Sequence, residues 1–415
     1  MTQNYSLERS PIANISLASK ELFHSNFLAW AFNTYPTTLN AILDCAGLSA
    51  RSSDESVEVT REEQNLDLVV RIGGSRLVVI ENKLKSLPYS EQLRRYEEKA
   101  GKLDSGREDP EFVLLTLTSD DCDRIPLSLG RWECVDYGTL TKSLLDYIPD
   151  NADAYHREIV RDYAQFVGEL VRIANDESRH VWNRAGSKID GEALPAWLTK
   201  HKLHDLFGKR QGQIVAAKVY EEVTRNFANT VHWQHSPKDV GSHQITIYSG
   251  FTNSQPLVGV FYALGGLPCP AVDEAPPVGV GFQVQGDQFR SYVEWPKPGR
   301  LAQKPVGRDL PSKTAAIAWD LFCDERCPES FWTPKQKSGA EKQNADSGKT
   351  KSRYKEQCRF GAPFQYRYRP LSKGGDTRVA LNALAETLAE RTIALLNDLK
   401  RIESLLQEHQ SNYLA

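Results

Sequence analysis

Apolar residues recur at helical spacing in KELFHSNFLAWAFN, at Leu22, Phe23, Phe27, Leu28, Ala31 and Phe32, which predicts a first helix. The period then changes. VEVTREEQNLDLVVRI and RLVVIENK are rich in β-branched residues and read as strands. YSEQLRRYEEKAGK reads as a helix that stops at Gly101. EFVLLTLTS is a continuous apolar strand and RWECVDYG a shorter one, while TLTKSLLDYI and YHREIVRDYAQFVGELVRIA return to helical spacing. Buried-type strands bracketed by helices predict an α/β domain over residues 1–178.

Beyond it, residues 193–228 read as helical, and HQITIYSG, PLVGVFYAL and VGVGFQVQGDQFRSYVEW read as strands with a hairpin turn at Gly286-Asp287. FQYRYRPL adds one more strand, and residues 377–410 form a long amphipathic helix. This alternation predicts an α+β C-terminal domain over residues 179–415. One stretch breaks the pattern. From Lys335 to Arg359 the chain has eight Lys or Arg against three Asp or Glu, a net +5, with too little apolar content for a core. It is expected to be a mobile basic loop.

Composition narrows the class. The 415 residues are 40% hydrophobic and 25% charged, the balance of a globular protein, with room for two or three domains. No apolar run approaches the roughly 18 residues that a membrane helix needs, and no secretory signal is read at the N-terminus. Seven scattered cysteines, with Cys323 and Cys327 lacking a second ligand pair, argue against zinc and suggest reduced thiols in a cytoplasm. With a net charge of −3, any polyanion must be held by local basic surface. Lys349, Lys351, Arg353 and Lys355 are the densest such group and the candidate nucleic-acid contacts. KHKLHDLFGKRQGQ, with Arg210, reads as a helix end with a solvated face, and no Walker-type phosphate loop is present.

The chemistry is concentrated in LDLVVRIGGSRLVVIENK, Leu66 to Lys83. If Gly73, Gly74 and Ser75 make a three-residue hairpin turn, residue 72 faces residue 76, Leu68 faces Ile80, and Asp67 lies opposite Glu81. Directly opposed side chains have Cβ atoms about 4.5–5.5 Å apart, where like charges repel. Two carboxylates there need a cation. Lys83, two residues beyond Glu81, points to the same face. A hard ion such as Mg²⁺ is the other candidate, since it takes one or two carboxylates and keeps positions for water and phosphate oxygens. The plainer alternative is an ion cluster at the rim of a sheet.

Asp67, a hairpin, then Glu81-Asn82-Lys83 after an apolar strand resembles the PD-(D/E)xK nuclease superfamily. More narrowly, it resembles the bacterial group with an IENK strand followed by a QLxxY helix, here Gln92 to Tyr96. ELFHSNFLAW, VLLTLTS and VDYGTL are similar to that group's first helix and later core elements, over residues 20–175; one departure is that Asp67 follows Leu66 and not a proline. The resemblance implies a restriction-endonuclease-like mixed sheet flanked by helices and a nuclease dependent on Mg²⁺ or Mn²⁺. Asp67, Glu81 and Glu21 would be metal ligands, and Lys83 would orient the attacking water. Gln92 and Tyr96, four apart on one helix face, would support the substrate or that water; ordinary packing is the alternative for both. Either Glu62 or Glu63 would also approach the site. DNA is the favoured substrate, with defence against phage or foreign DNA the expected setting, alone, as a homo-oligomer or with a partner protein. A catalytically inactive nucleic-acid-binding module and an RNA-cleaving nuclease are the alternatives.

Overall fold

The computed structural model describes residues 12, 21–88, 90–103, 109–124, 130–177, 181–182, 188–189, 192–193, 203–227, 231–234, 245–252, 255–263, 279–294, 358–359, 364–371 and 379–414. The basic candidates Lys349, Lys351, Arg353 and Lys355 lie outside these residues, as do Cys323 and Cys327. The chain divides into two compact units, residues 1–180 with 187–211, and residues 181–186 with 212–415.

In the first unit, helices α1 (Glu21–Thr34) and α2 (Leu39–Cys45) precede the hairpin strands β1 (Val57–Arg61), β2 (Leu68–Ile72) and β3 (Arg76–Lys83). Then come α3 (Ser90–Leu103), β4 (Glu111–Thr116), α4 (Ser119–Arg124), β5 (Trp132–Asp136), α5 (Tyr137–Asp146) and α6 (Ala154–Glu177). The five strands form one sheet in the order β1-β2-β3-β4-β5. The first three are antiparallel, and β4 and β5 continue parallel to β3. This is the expected mixed sheet flanked by helices. Helix α3 runs through Gly101 to Leu103, two residues past the expected stop.

The turn between β2 and β3 sets the register. Gly73 and Gly74 take left-handed φ of 58° and 83°, which glycine adopts without a Cβ clash. The ladder pairs Ile72 with Arg76, Val70 with Val78 and Leu68 with Ile80, the expected register. Period-2 alternation then sorts the strands onto two cores. Leu68, Val70, Val78 and Ile80 pack with α1, α5 and α6, including Phe32, Tyr137 and Phe166. Val69, Leu77, Val79 and Phe112 pack on the other face with Leu93 and Ala100 of α3.

Three differences from the sequence-based expectations stand out. Residue 193, the expected start of a helix, lies instead in Glu192–Ala193 (β8), which pairs with Lys188–Ile189 (β7) as a short hairpin, and helix α7 spans His204–Asn226. Its first turns belong to the first unit, with Leu203, Leu206 and Phe207 buried in the first core. Arg210 is not solvated. It is buried with Asp121, and its Nη2 donates to Thr118 Oγ1 at 2.6 Å. Thirdly, Cys122 and Cys134 form a disulfide, contrary to the expectation of reduced thiols. Helix α4 folds back after β4 and brings Cys122 beside β5, a proximity that residue spacing does not reveal.

The second unit is built on a seven-stranded sheet. It contains β9 (Val231–Gln234), β10 (Ile245–Thr252), β11 (Gln255–Ala263), β12 (Gly279–Gln285), β13 (Gln288–Glu294), β14 (Cys358–Arg359) and β15 (Phe364–Pro370). Gly286-Asp287 makes the expected two-residue turn between β12 and β13. Strand β6 (Val181–Trp182) pairs with β16 (Val379–Ala380), which leads into the long helix α8 (Leu381–Leu414).

Candidate active site

Asp67 immediately precedes β2, and its Oδ2 accepts the Asn82 backbone N–H of β3 at 2.8 Å. The ladder ends one residue short of an Asp67–Glu81 pair, so this side chain to backbone bond takes over where strand pairing stops. By strand parity Asp67, Glu81 and Lys83 share the face covered by α3. Glu81 is 1% exposed and Lys83 8%, and Lys83 Nζ lies 2.6 Å from Glu81 Oε1. The second oxygen, Oε2, is buried without a hydrogen-bond partner.

The electrostatics follow from that burial. Loss of water lifts the Glu81 carboxyl from 4.5 to about 7, against the pull of Lys83 and with further repulsion from Asp67 and Glu21. Burial likewise raises Asp67, opposed by Lys83 and the Asn82 N–H. For Lys83, burial works to lower the ammonium, but the charges of Glu81 and Glu21 outweigh it and hold the lysine well above its usual range. It is therefore protonated at neutral pH.

Glu21, the first residue of α1, accepts the Lys85 backbone N–H on Oε1 at 3.0 Å, and Lys85 Nζ is held by Asp205 at 3.0 Å. Gln92 Nε2 donates to Tyr96 Oη at 2.7 Å. Tyr96 is partly buried against the second core, and that burial, then the charge of Glu81, raises its hydroxyl above the usual range. The sequence left Glu62 and Glu63 open. Glu63 is committed to Arg71, with Nη2 to Oε1 at 2.7 Å, whereas Glu62 is exposed at the head of the turn that leads to Asp67.

One functional residue sits inside the sequence motif with no role that the motif assigns. Asn82 is fully buried and points away from Glu81 and Lys83, into the first core. Its Nδ2 donates to the Glu21 carbonyl (3.0 Å) and Ser25 Oγ (3.2 Å), and its Oδ1 accepts from Tyr137 Oη (3.1 Å). Tyr163 continues the network to His24 Nδ1 at 3.0 Å. Asn82 thus ties α1 with Glu21 to the strand that carries Glu81 and Lys83, and its backbone holds Asp67. The available signal was parity: an amide alternating with charged residues faces an apolar layer and needs buried partners.

Among the described residues, no group of three or more His, Cys, Asp or Glu side chains is arranged to hold a metal ion. Each acid instead has a protein donor: Asn82 N–H for Asp67, Lys83 for Glu81 and Lys85 N–H for Glu21. The donor set still suits a hard divalent cation. It is all oxygen, it repels itself, and Glu81 Oε2 is buried and unsatisfied. Among the described residues no helix is long and apolar enough to cross a membrane.

No curated protein and no solved structure matches the chain. A family model described as the PD-(D/E)XK nuclease superfamily matches residues 12–166, which span the mixed sheet and every candidate acid. Enzymes of that superfamily generally use divalent metals, and the match supports a nuclease acting on nucleic acid. Over residues 12–166, a little over a third of its length, the chain is therefore similar to the PD-(D/E)XK nuclease superfamily.

Proposed function

We propose that the protein is a nuclease that hydrolyses phosphodiester bonds with Mg²⁺ or Mn²⁺, and that DNA is its substrate. The observation that carries this reading is the Glu81 carboxylate: one oxygen on Lys83, the other buried without a partner, next to the half-buried acid Asp67. Asp67, Glu81 and Glu21 would hold the metal. When bound, it supplies Lewis-acid stabilisation of charge on the phosphoryl oxygens and a more acidic water. The chain's own residues do the rest. Lys83, held protonated, cannot act as a base; it donates hydrogen bonds, orienting the attacking water and countering phosphate charge. Gln92 and Tyr96 form a fixed donor pair that supports that water or the substrate. Asn82 keeps the helix and strand that supply the acids in one frame. Action on phage or other foreign DNA in the cytoplasm, with a homo-oligomeric or protein partner, rests on the family resemblance alone. The basic group Lys349, Lys351, Arg353 and Lys355 is proposed as additional nucleic-acid contacts.

The second reading is a nucleic-acid-binding module without turnover, favoured by the protein donors on all three acids. Incubating the purified protein with plasmid, linear single-stranded DNA and RNA, each with Mg²⁺, Mn²⁺ or EDTA, separates the readings. Cleavage of DNA with metal and none in EDTA or in Lys83→Ala is expected. Binding without cleavage under every condition establishes the inactive module, and RNA-only cleavage reassigns the substrate.

A further inference from the structure

The connection from β1 to β2, residues 62–67, leads directly into Asp67. Three of its residues adopt left-handed backbone and none is glycine: Glu62 at φ 55°, Gln64 at 53° and Asn65 at 62°. That conformation costs any residue with a Cβ, so it persists only where the surroundings impose it. Here they do. Glu62 N–H donates to the Asp67 carbonyl and Asn65 N–H to the Glu62 carbonyl, at 3.3 and 3.1 Å. Glu63 grips Arg71 through both carboxylate oxygens, at 2.7 and 2.9 Å. Leu66 is fully buried in the second core. From α3, Lys99 Nζ donates to the Gln64 carbonyl at 2.9 Å and sits 5.3 Å from the centre of the Tyr96 ring.

Held this way, the loop leaves the Gln64 and Asn65 side chains exposed, within three residues of Asp67. A positive charge stands on each side. Arg61, exposed at the end of β1, donates to Asn26 Oδ1 on α1, and Lys99 lies on the α3 side beside Tyr96. Amides and cations around an acidic centre are the donors that a phosphodiester strand needs on either side of the bond being cut. A loop locked before binding also gives up little conformational freedom when the strand arrives.

We propose that this loop, with Arg61 and Lys99, binds the nucleic-acid strand at the phosphates flanking the scissile bond, Gln64 and Asn65 donating to the backbone and the two cations setting its path. The proposal rests on the nuclease reading above. Gln64 and Asn65 are two of the left-handed residues, and glycine at those positions would remove both the strain and the donors.

The test compares the full-length wild type with Gln64→Gly/Asn65→Gly and with Arg61→Ala/Lys99→Ala. Binding of a fluorescein-labelled DNA duplex and of its single strand is measured in EDTA at several salt concentrations. KM is measured with Mg²⁺, and melting temperature is read alongside. The glycine pair should melt at or above the wild-type temperature, because left-handed backbone suits glycine, while Kd and KM rise roughly tenfold for each amide–phosphate hydrogen bond removed. The alanine pair should flatten the duplex salt slope by about 2. Wild-type Kd and KM in the glycine pair overturn the loop assignment, and so does a rise in KM that comes with a fall in melting temperature. A wild type that cleaves no nucleic acid overturns the nuclease reading itself; cleavage by wild type with unaffected variants overturns only the loop.

Discussion

The buried Glu81–Lys83 pair gives a stability prediction independent of catalysis. Lifting the Glu81 carboxyl from 4.5 to about 7 corresponds to about 3 kcal/mol at 1.36 kcal/mol per pH unit. The sign follows from proton linkage. The folded state binds this proton more tightly than the unfolded chain, so the group favours folding at low pH. That advantage disappears as pH rises from about 4.5 to about 7. The side chain is 2% exposed, so solvent screening takes little from the figure. Replacing both partners, as Glu81→Gln/Lys83→Met, removes the charged burial while keeping shape. Exchanging a buried ion pair for uncharged groups commonly gains about 1–4 kcal/mol. In EDTA, the double variant should match wild type at pH 5 and exceed it by about 1–3 kcal/mol at pH 8. At roughly 2–4 °C per kcal/mol for a unit of this size, the shift is several degrees. Lys83→Met alone should be destabilising at pH 8, because it leaves Glu81 buried with no cation. Melting curves of the three proteins at pH 5, 6, 7 and 8 read this directly. A double variant no more stable than wild type at pH 8, or a difference that does not vary with pH, would refute the reasoning.

Other perturbations reach the supports of the site. Asn82→Ala leaves Tyr137 Oη, Ser25 Oγ and the Glu21 carbonyl without their shared partner, and should cost about 2–4 kcal/mol in urea unfolding; a loss below about 0.5 kcal/mol would mean the network re-forms without it. Arg210→Ala strands Asp121, 4% exposed, and should cost about 3–5 kcal/mol, whereas a solvated arginine would show almost none. Replacing Lys349, Lys351, Arg353 and Lys355 by Ala should weaken DNA binding and flatten its salt slope by up to about 4; unchanged isotherms across salt concentrations would remove that segment from the substrate path.

Local rules were enough for the centre of the site. A three-residue turn with two glycines and period-2 alternation determines the register of β2 and β3, and with it the common face of Asp67, Glu81 and Lys83. Helical spacing of four does the same for Gln92 and Tyr96, which hydrogen-bond to each other. These relations involve residues within about one turn or one hairpin, where the backbone period alone decides direction. What lay outside such reach was decided by tertiary packing. Asn82 meets Ser25 across 57 positions and Tyr137 across 55, and Arg210 meets Asp121 across 89. That Glu63 is tied up follows from Arg71 on the neighbouring strand taking it. The left-handed turn before Asp67 depends on Lys99, 35 residues away, holding the Gln64 carbonyl. None of these partners has a periodic signature. Each is chosen because a buried polar group must find a counterpart somewhere, and only the folded core determines which one is within reach.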